Sequence, residues 1–85
     1  MDRIVIRELS GRCILGVREE ERREKQDVLV TIVLHVDVRR AARSDAFADA
    51  VDYRAIKKRV LALVEASSFN LIEALAESVA TACLD

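Results

Sequence analysis

From Asp27 to Val38 the chain reads DVLVTIVLHVDV, and every even position is apolar: Val28, Val30, Ile32, Leu34, Val36 and Val38. The odd positions, Leu29, Thr31, Val33, His35 and Asp37, are mixed. A period of two marks a strand whose successive side chains face opposite ways, so one face is expected under helices and the other against a wetter surface. Residues 2 to 15, DRIVIRELSGRCIL, read as another strand that bends, with a bulge expected at Ser10-Gly11.

The period then changes. A polar connection, RRAARSDAFADA, leads to Asp52, which is placed to cap a helix from about Tyr53 to Ala66 with Ile56, Val60, Leu63 and Val64 on one stripe. The segment SSFN breaks that helix. Asn70 is expected to open a second one, running to about Leu84 and carrying Leu71, Leu75 and Val79 inward. Asn70 and Glu73 have the spacing of a capping box. Two strands are marginal alone and leave bare edges, so either other chains complete the sheet or further strands follow Asp85. The second is the expectation, and residues 1–85 read as a single domain incomplete at its C-terminal side.

Composition sharpens this. A chain of 85 residues buries only about 60–65% of its unfolded surface, yet 52% of its residues are hydrophobic. That is more apolar surface than one small subunit hides, and self-association follows. A net charge of −1 offers no pull toward nucleic acid or anionic lipid, and three aromatic residues, Phe47, Tyr53 and Phe69, make no base-stacking platform. The longest apolar stretch, VLVTIVLHV, is too short to span a bilayer, and MDRIVIRE lacks the apolar core of a signal peptide. Cys13, Cys83 and the single His35 have no metal-ligand spacing, and two solitary cysteines fit a reducing cytoplasm.

Candidate chemistry centres on residues 18 to 25, where four glutamates and four basic side chains fill eight positions. Taken alone this is a solvated turn, with Glu19–Arg23 and Glu21–Lys25 at helical i, i+4 spacing. Composition does not promote any one of Glu19, Glu20 and Glu21. Tyr53 alone reads as a half-buried packing residue, and Glu73 as part of a helix cap. His35 reads as a surface or interface residue, Cys13 and Cys83 as small core hydrophobes.

The combination alters those readings. GVREEER at 16–22, RRAARSDAFADAVDYRAI at 39–56 and VEASSFNLIEALAE at 64–77 together resemble the dihydroneopterin aldolase family, which includes the dihydroneopterin triphosphate epimerases. The resemblance covers essentially the whole chain in order. It implies an α+β tunnelling fold: an antiparallel sheet with two helices on one face, closed into a ring by several subunits, usually as an octamer with sites between neighbours. It implies a pterin substrate, retro-aldol cleavage of dihydroneopterin to hydroxymethyl-dihydropterin and glycolaldehyde, and no metal or other cofactor. By position, Glu73 would grip the pterin edge with Ile72 supplying backbone contact. Tyr53 of a neighbouring subunit would donate a proton, and Glu21 would be the catalytic glutamate of the charged run. The family also uses a lysine on a later strand, in a Lys-Pro-Gly-type segment. Lys25, Lys57 and Lys58, the three lysines here, do not match it. Epimerisation is the alternative activity, and a non-catalytic pterin-binding or assembly module the alternative of another class.

Overall fold

A computed structural model describes residues 1–84. Its frame is one long antiparallel hairpin of β1 (Asp2–Leu15) and β2 (Gln26–Val36). The even residues of β2 face inward as the pattern requires: Ile32 is buried, Val28, Val30, Leu34 and Val36 are half-buried, while Leu29, Thr31, Val33 and His35 are exposed.

β1 does not keep one parity. Its inward residues are Ile4 and Ile6 near the start, then Leu9, Gly11, Cys13 and Leu15. The change occurs because Ile6 pairs with Ile32 and Leu9 with Val30, so Arg7 and Glu8 together oppose one residue of β2. One extra residue flips the phase and keeps both halves apolar on the same side. Glu8 takes φ +53°, and its N–H donates to Thr31 Oγ1 at 3.2 Å. The bulge expected at Ser10-Gly11 is thus at Arg7–Glu8, while Ser10 and Gly11 pair regularly with Leu29 and Val28. Gly11 is needed for another reason: a Cβ there would stand 3.0 Å from Val64 Cγ1, where a helix settles onto the strand.

Between the strands lies α1 (Glu19–Arg23), a single turn with no fully buried residue. After β2, the expected polar connection contains a short helix, α2 (Arg39–Ser44), closed by Asp45 in the left-handed region, and a 3-10 turn over Phe47–Asp49. α3 (Tyr53–Ala66) has the expected limits, and the Asp52 carboxylate accepts from the Ala55 N–H at 3.0 Å. Its buried stripe is Ile56, Val60 and Val64, with Leu63 packed beside them.

The break after α3 is itself structure. Ser68–Phe69 forms β3, pairing parallel with Ile14 and Leu15, so the described sheet has the order β2-β1-β3 and is mixed rather than purely antiparallel. Extended backbone at 68–69 postpones the last helix, α4, to Ile72–Leu84. Asn70 therefore does not cap it. The Leu71 carbonyl accepts from the Leu75 N–H at 3.3 Å, Leu75 and Val79 are buried, and Leu71 stays 52% exposed rather than turning inward.

The core joins Ile6, Cys13, Leu15 and Ile32 of the hairpin to Ile56, Val60, Val64, Leu75 and Val79 of the long helices. It is thin: among the described residues the largest fully buried side chains are no bigger than those of Val60, Val64 and Cys13. The radius of gyration is 15.3 Å, against about 12 Å for a compact domain of this length. The apolar surplus read from composition remains on the outside.

Candidate active site

Glu21 is set apart from its neighbours by local geometry. Glu19 and Glu20 are exposed, and Glu19 pairs with Arg23 on the surface. Glu21 turns back instead of meeting Lys25, and its Oε1 accepts from the Arg18 N–H at 3.1 Å. This is half a capping box, since an arginine side chain has no oxygen to return the bond. The carboxylate lies over Gly16, whose φ is +132°; a Cβ on residue 16 would fall 2.5 and 2.6 Å from its two oxygens. Only glycine offers both the backbone angle and the space.

That platform is joined to the entrance of α4. The Gly16 N–H donates to the Phe69 carbonyl at 3.2 Å, and Ile72 and Glu73 follow three and four residues after Phe69. Glu73 occupies the first turn of α4, exposed, and forms no hydrogen bond or ion pair with the described residues. The capping-box role is therefore absent. Ile72 is 66% exposed. An anion in the first turn is favoured by the helix dipole, so Glu73 offers two unengaged carboxylate oxygens to anything that docks there.

Tyr53 is elsewhere. It starts α3, whose other end runs into β3 and the Gly16 junction. A 14-residue helix is about 20 Å long, so one chain does not bring Tyr53 to Glu21 and Glu73. Tyr53 is 47% exposed, with the Lys57 ammonium 6.0 Å from its ring centroid. Lys25 and Lys58 are exposed.

The residue that sequence reasoning missed is Arg22. It is half-buried and donates to the carbonyls of Gly16, Phe69 and Ser68 at 3.2, 2.9 and 2.6 Å. Only its place inside GVREEER hinted at anything beyond a solvated charge.

A cavity distinct from this cluster runs along the sheet. It is an apolar cleft of about 750 Å³ along β2, roofed by Leu75, Val79 and Leu84 of α4, with Ile72 at its rim. Cys83 also lines it, and burial pushes that thiol up from its ordinary pKa. The cleft follows an edge of β2 that no strand among the described residues covers. With so little polar lining, it is an open sheet flank rather than a site for a heterocycle rich in hydrogen-bonding groups.

The sequence model of dihydroneopterin aldolase matches residues 4–85. The chain belongs to the dihydroneopterin aldolase family. It is 44% identical over 84 residues to dihydroneopterin aldolase of Streptomyces coelicolor, covering 99% of this chain and 71% of that protein. It is 33% identical over 76 residues to dihydroneopterin triphosphate 2'-epimerase of Escherichia coli, covering 89% and 63%. The crystal structure of E. coli dihydroneopterin aldolase in complex with neopterin superposes with a TM-score of 0.92 at 37% identity, covering 99% of this chain and 73% of that one. The chain therefore has the α+β tunnelling fold of that family, and it spans 63 to 73% of the length of these relatives.

Proposed function

We propose that this chain carries the pterin-gripping part and two proton-transfer groups, Glu21 and Tyr53, of a dihydroneopterin aldolase, an aldehyde lyase. The observation that supports this best is the coupling of Glu21 to the α4 entrance through Gly16 and Phe69. It sets a fixed carboxylate beside a helix start that presents a second, unengaged one.

In this reading the Glu73 carboxylate accepts two parallel hydrogen bonds from the pterin amino group and the neighbouring ring N–H. The Ile72 backbone contacts the ring beside it. Glu21 orients and shuttles protons near the reacting side chain, and Tyr53 of a neighbouring subunit donates one. Retro-aldol cleavage needs a base for the hydroxyl proton and a sink for the electrons of the breaking C–C bond. The dihydropterin C=N is that sink, so the protein's task is positioning and proton transfer. The family's lysine has no match in residues 1–85.

A shared site requires assembly. The thin core, the exposed Ile72 and Leu84 and the uncovered flank of β2 favour a ring of subunits, and the family's octamer is the expected size. A cytoplasmic location agrees with two free thiols, Cys13 and Cys83.

Epimerisation is the second reading, favoured by the 33% identity to the triphosphate epimerase. It shares the same cleaved intermediate, but the aldehyde is not released. The carbon–carbon bond re-forms on the opposite face of the still-bound aldehyde, and the proton taken from the hydroxyl returns to the new one. Product analysis decides: glycolaldehyde from dihydroneopterin supports the aldolase, a 2'-epimer from the triphosphate supports the epimerase. Tight pterin binding with neither product would leave a binding module.

A further inference from the structure

Arg22 plays no part in the scheme above, yet it is the most firmly held side chain of the charged turn. Its three carbonyl partners lie on two segments far apart in sequence. Gly16 directly follows β1 and supports the Glu21 carboxylate; Ser68 and Phe69 are β3, leading directly to Ile72 and Glu73. A two-residue strand pair is marginal by itself, so side-chain bonds across it carry unusual weight. The planar guanidinium suits the task, because its donors are fixed relative to one another and bridge several oxygens without adjustment. Among the described residues no carboxylate engages Arg22, so its charge is spent on backbone dipoles alone.

We propose that Arg22 is a positioning residue: by clamping Gly16 to Ser68 and Phe69, it sets the distance between the Glu21 carboxylate and the Ile72–Glu73 helix start. It does not touch the substrate. Without the clamp, α1 and the α4 entrance move independently, and the two carboxylates no longer meet one ring together. The inference rests on the pterin reading of the site.

The test uses the full-length protein with wild type, Arg22→Lys, Arg22→Met and Arg22→Ala. Neopterin binding is read by fluorescence and glycolaldehyde release from dihydroneopterin by a coupled assay. Circular dichroism and sedimentation check fold and assembly, well below each melting temperature. Arg22→Met should lose about a hundredfold in kcat/KM, through both kcat and KM, as displaced reacting groups do. Arg22→Lys should recover little, because one ammonium does not reproduce the fork. Free guanidinium at sub-denaturing concentration should restore part of the Arg22→Ala rate. Folded variants with wild-type kcat and KM and merely lower melting temperatures would overturn the proposal while the pterin reading stands. A wild-type protein that neither binds nor converts a pterin would remove both.

Discussion

The Glu21 carboxylate sits directly on Gly16, in the space any side chain at that position would need. Glycine at 16 and glutamate at 21 are thus one structural unit, and substitution at either disturbs the other. Gly16→Ala must leave φ +132° or suffer the strain of staying there, and it must also expel the carboxylate. A residue held in such a region costs about 1–3 kcal/mol, so urea denaturation should show a loss of that size. The rate should fall further than the stability loss explains, because Glu21 is displaced in molecules that remain folded.

The three consecutive glutamates separate in a direct comparison. Glu19→Ala and Glu20→Ala remove exposed side chains and should leave turnover within a small factor of wild type. Glu21→Ala should slow the chemical step by on the order of a hundredfold, as expected for loss of a placed proton-transfer group. Single-turnover rates of glycolaldehyde release are the measurement. Equal small effects at all three would return the segment to the status of a charged turn.

Glu73 gives the cleanest separation of binding from stability. Its side chain has no partner among the described residues, so Glu73→Gln should barely shift the melting temperature. Replacing one acceptor by a donor opposed to the pterin amino group removes charge-assisted bonds worth about 1.5–3 kcal/mol, roughly a ten- to hundredfold loss of affinity. Fluorescence titration with neopterin reads it. A drop in stability with normal affinity would contradict the assignment.

Tyr53 tests the shared site. Tyr53→Phe and Glu21→Ala proteins should each be nearly inactive alone. Co-assembled by joint refolding, they should regain activity, since some interfaces then pair an intact Tyr53 with an intact Glu21. If both groups served one site within one chain, every site in the mixture would stay defective. Persistent inactivity in verified mixed oligomers would therefore count against the arrangement, as would a monomer in sedimentation at micromolar concentration.

How much of this was legible in the sequence depended on how local the governing physics is. The inward parity of β2 and the limits of α3 with its Asp52 cap were both readable, because side-chain alternation and capping involve residues close along the chain. Family membership was also readable, from ordered motifs that single residues could not supply. The bulge was placed wrongly because the turn-forming look of Ser10-Gly11 is a local cue, whereas Arg7–Glu8 is chosen by pairing with Thr31 on the opposite strand. The start of α4 at Ile72 likewise depends on β1 capturing Ser68 and Phe69 in extended form. Among the charged residues, sequence supplied four glutamates and four bases without rank. Tertiary structure ranked them: Gly16 and the Arg18 amide select Glu21, and three carbonyls gathered from two distant segments select Arg22. Charge and periodicity belong to the chain itself, but which carboxylate is held and which guanidinium is enclosed is decided only where separate segments meet.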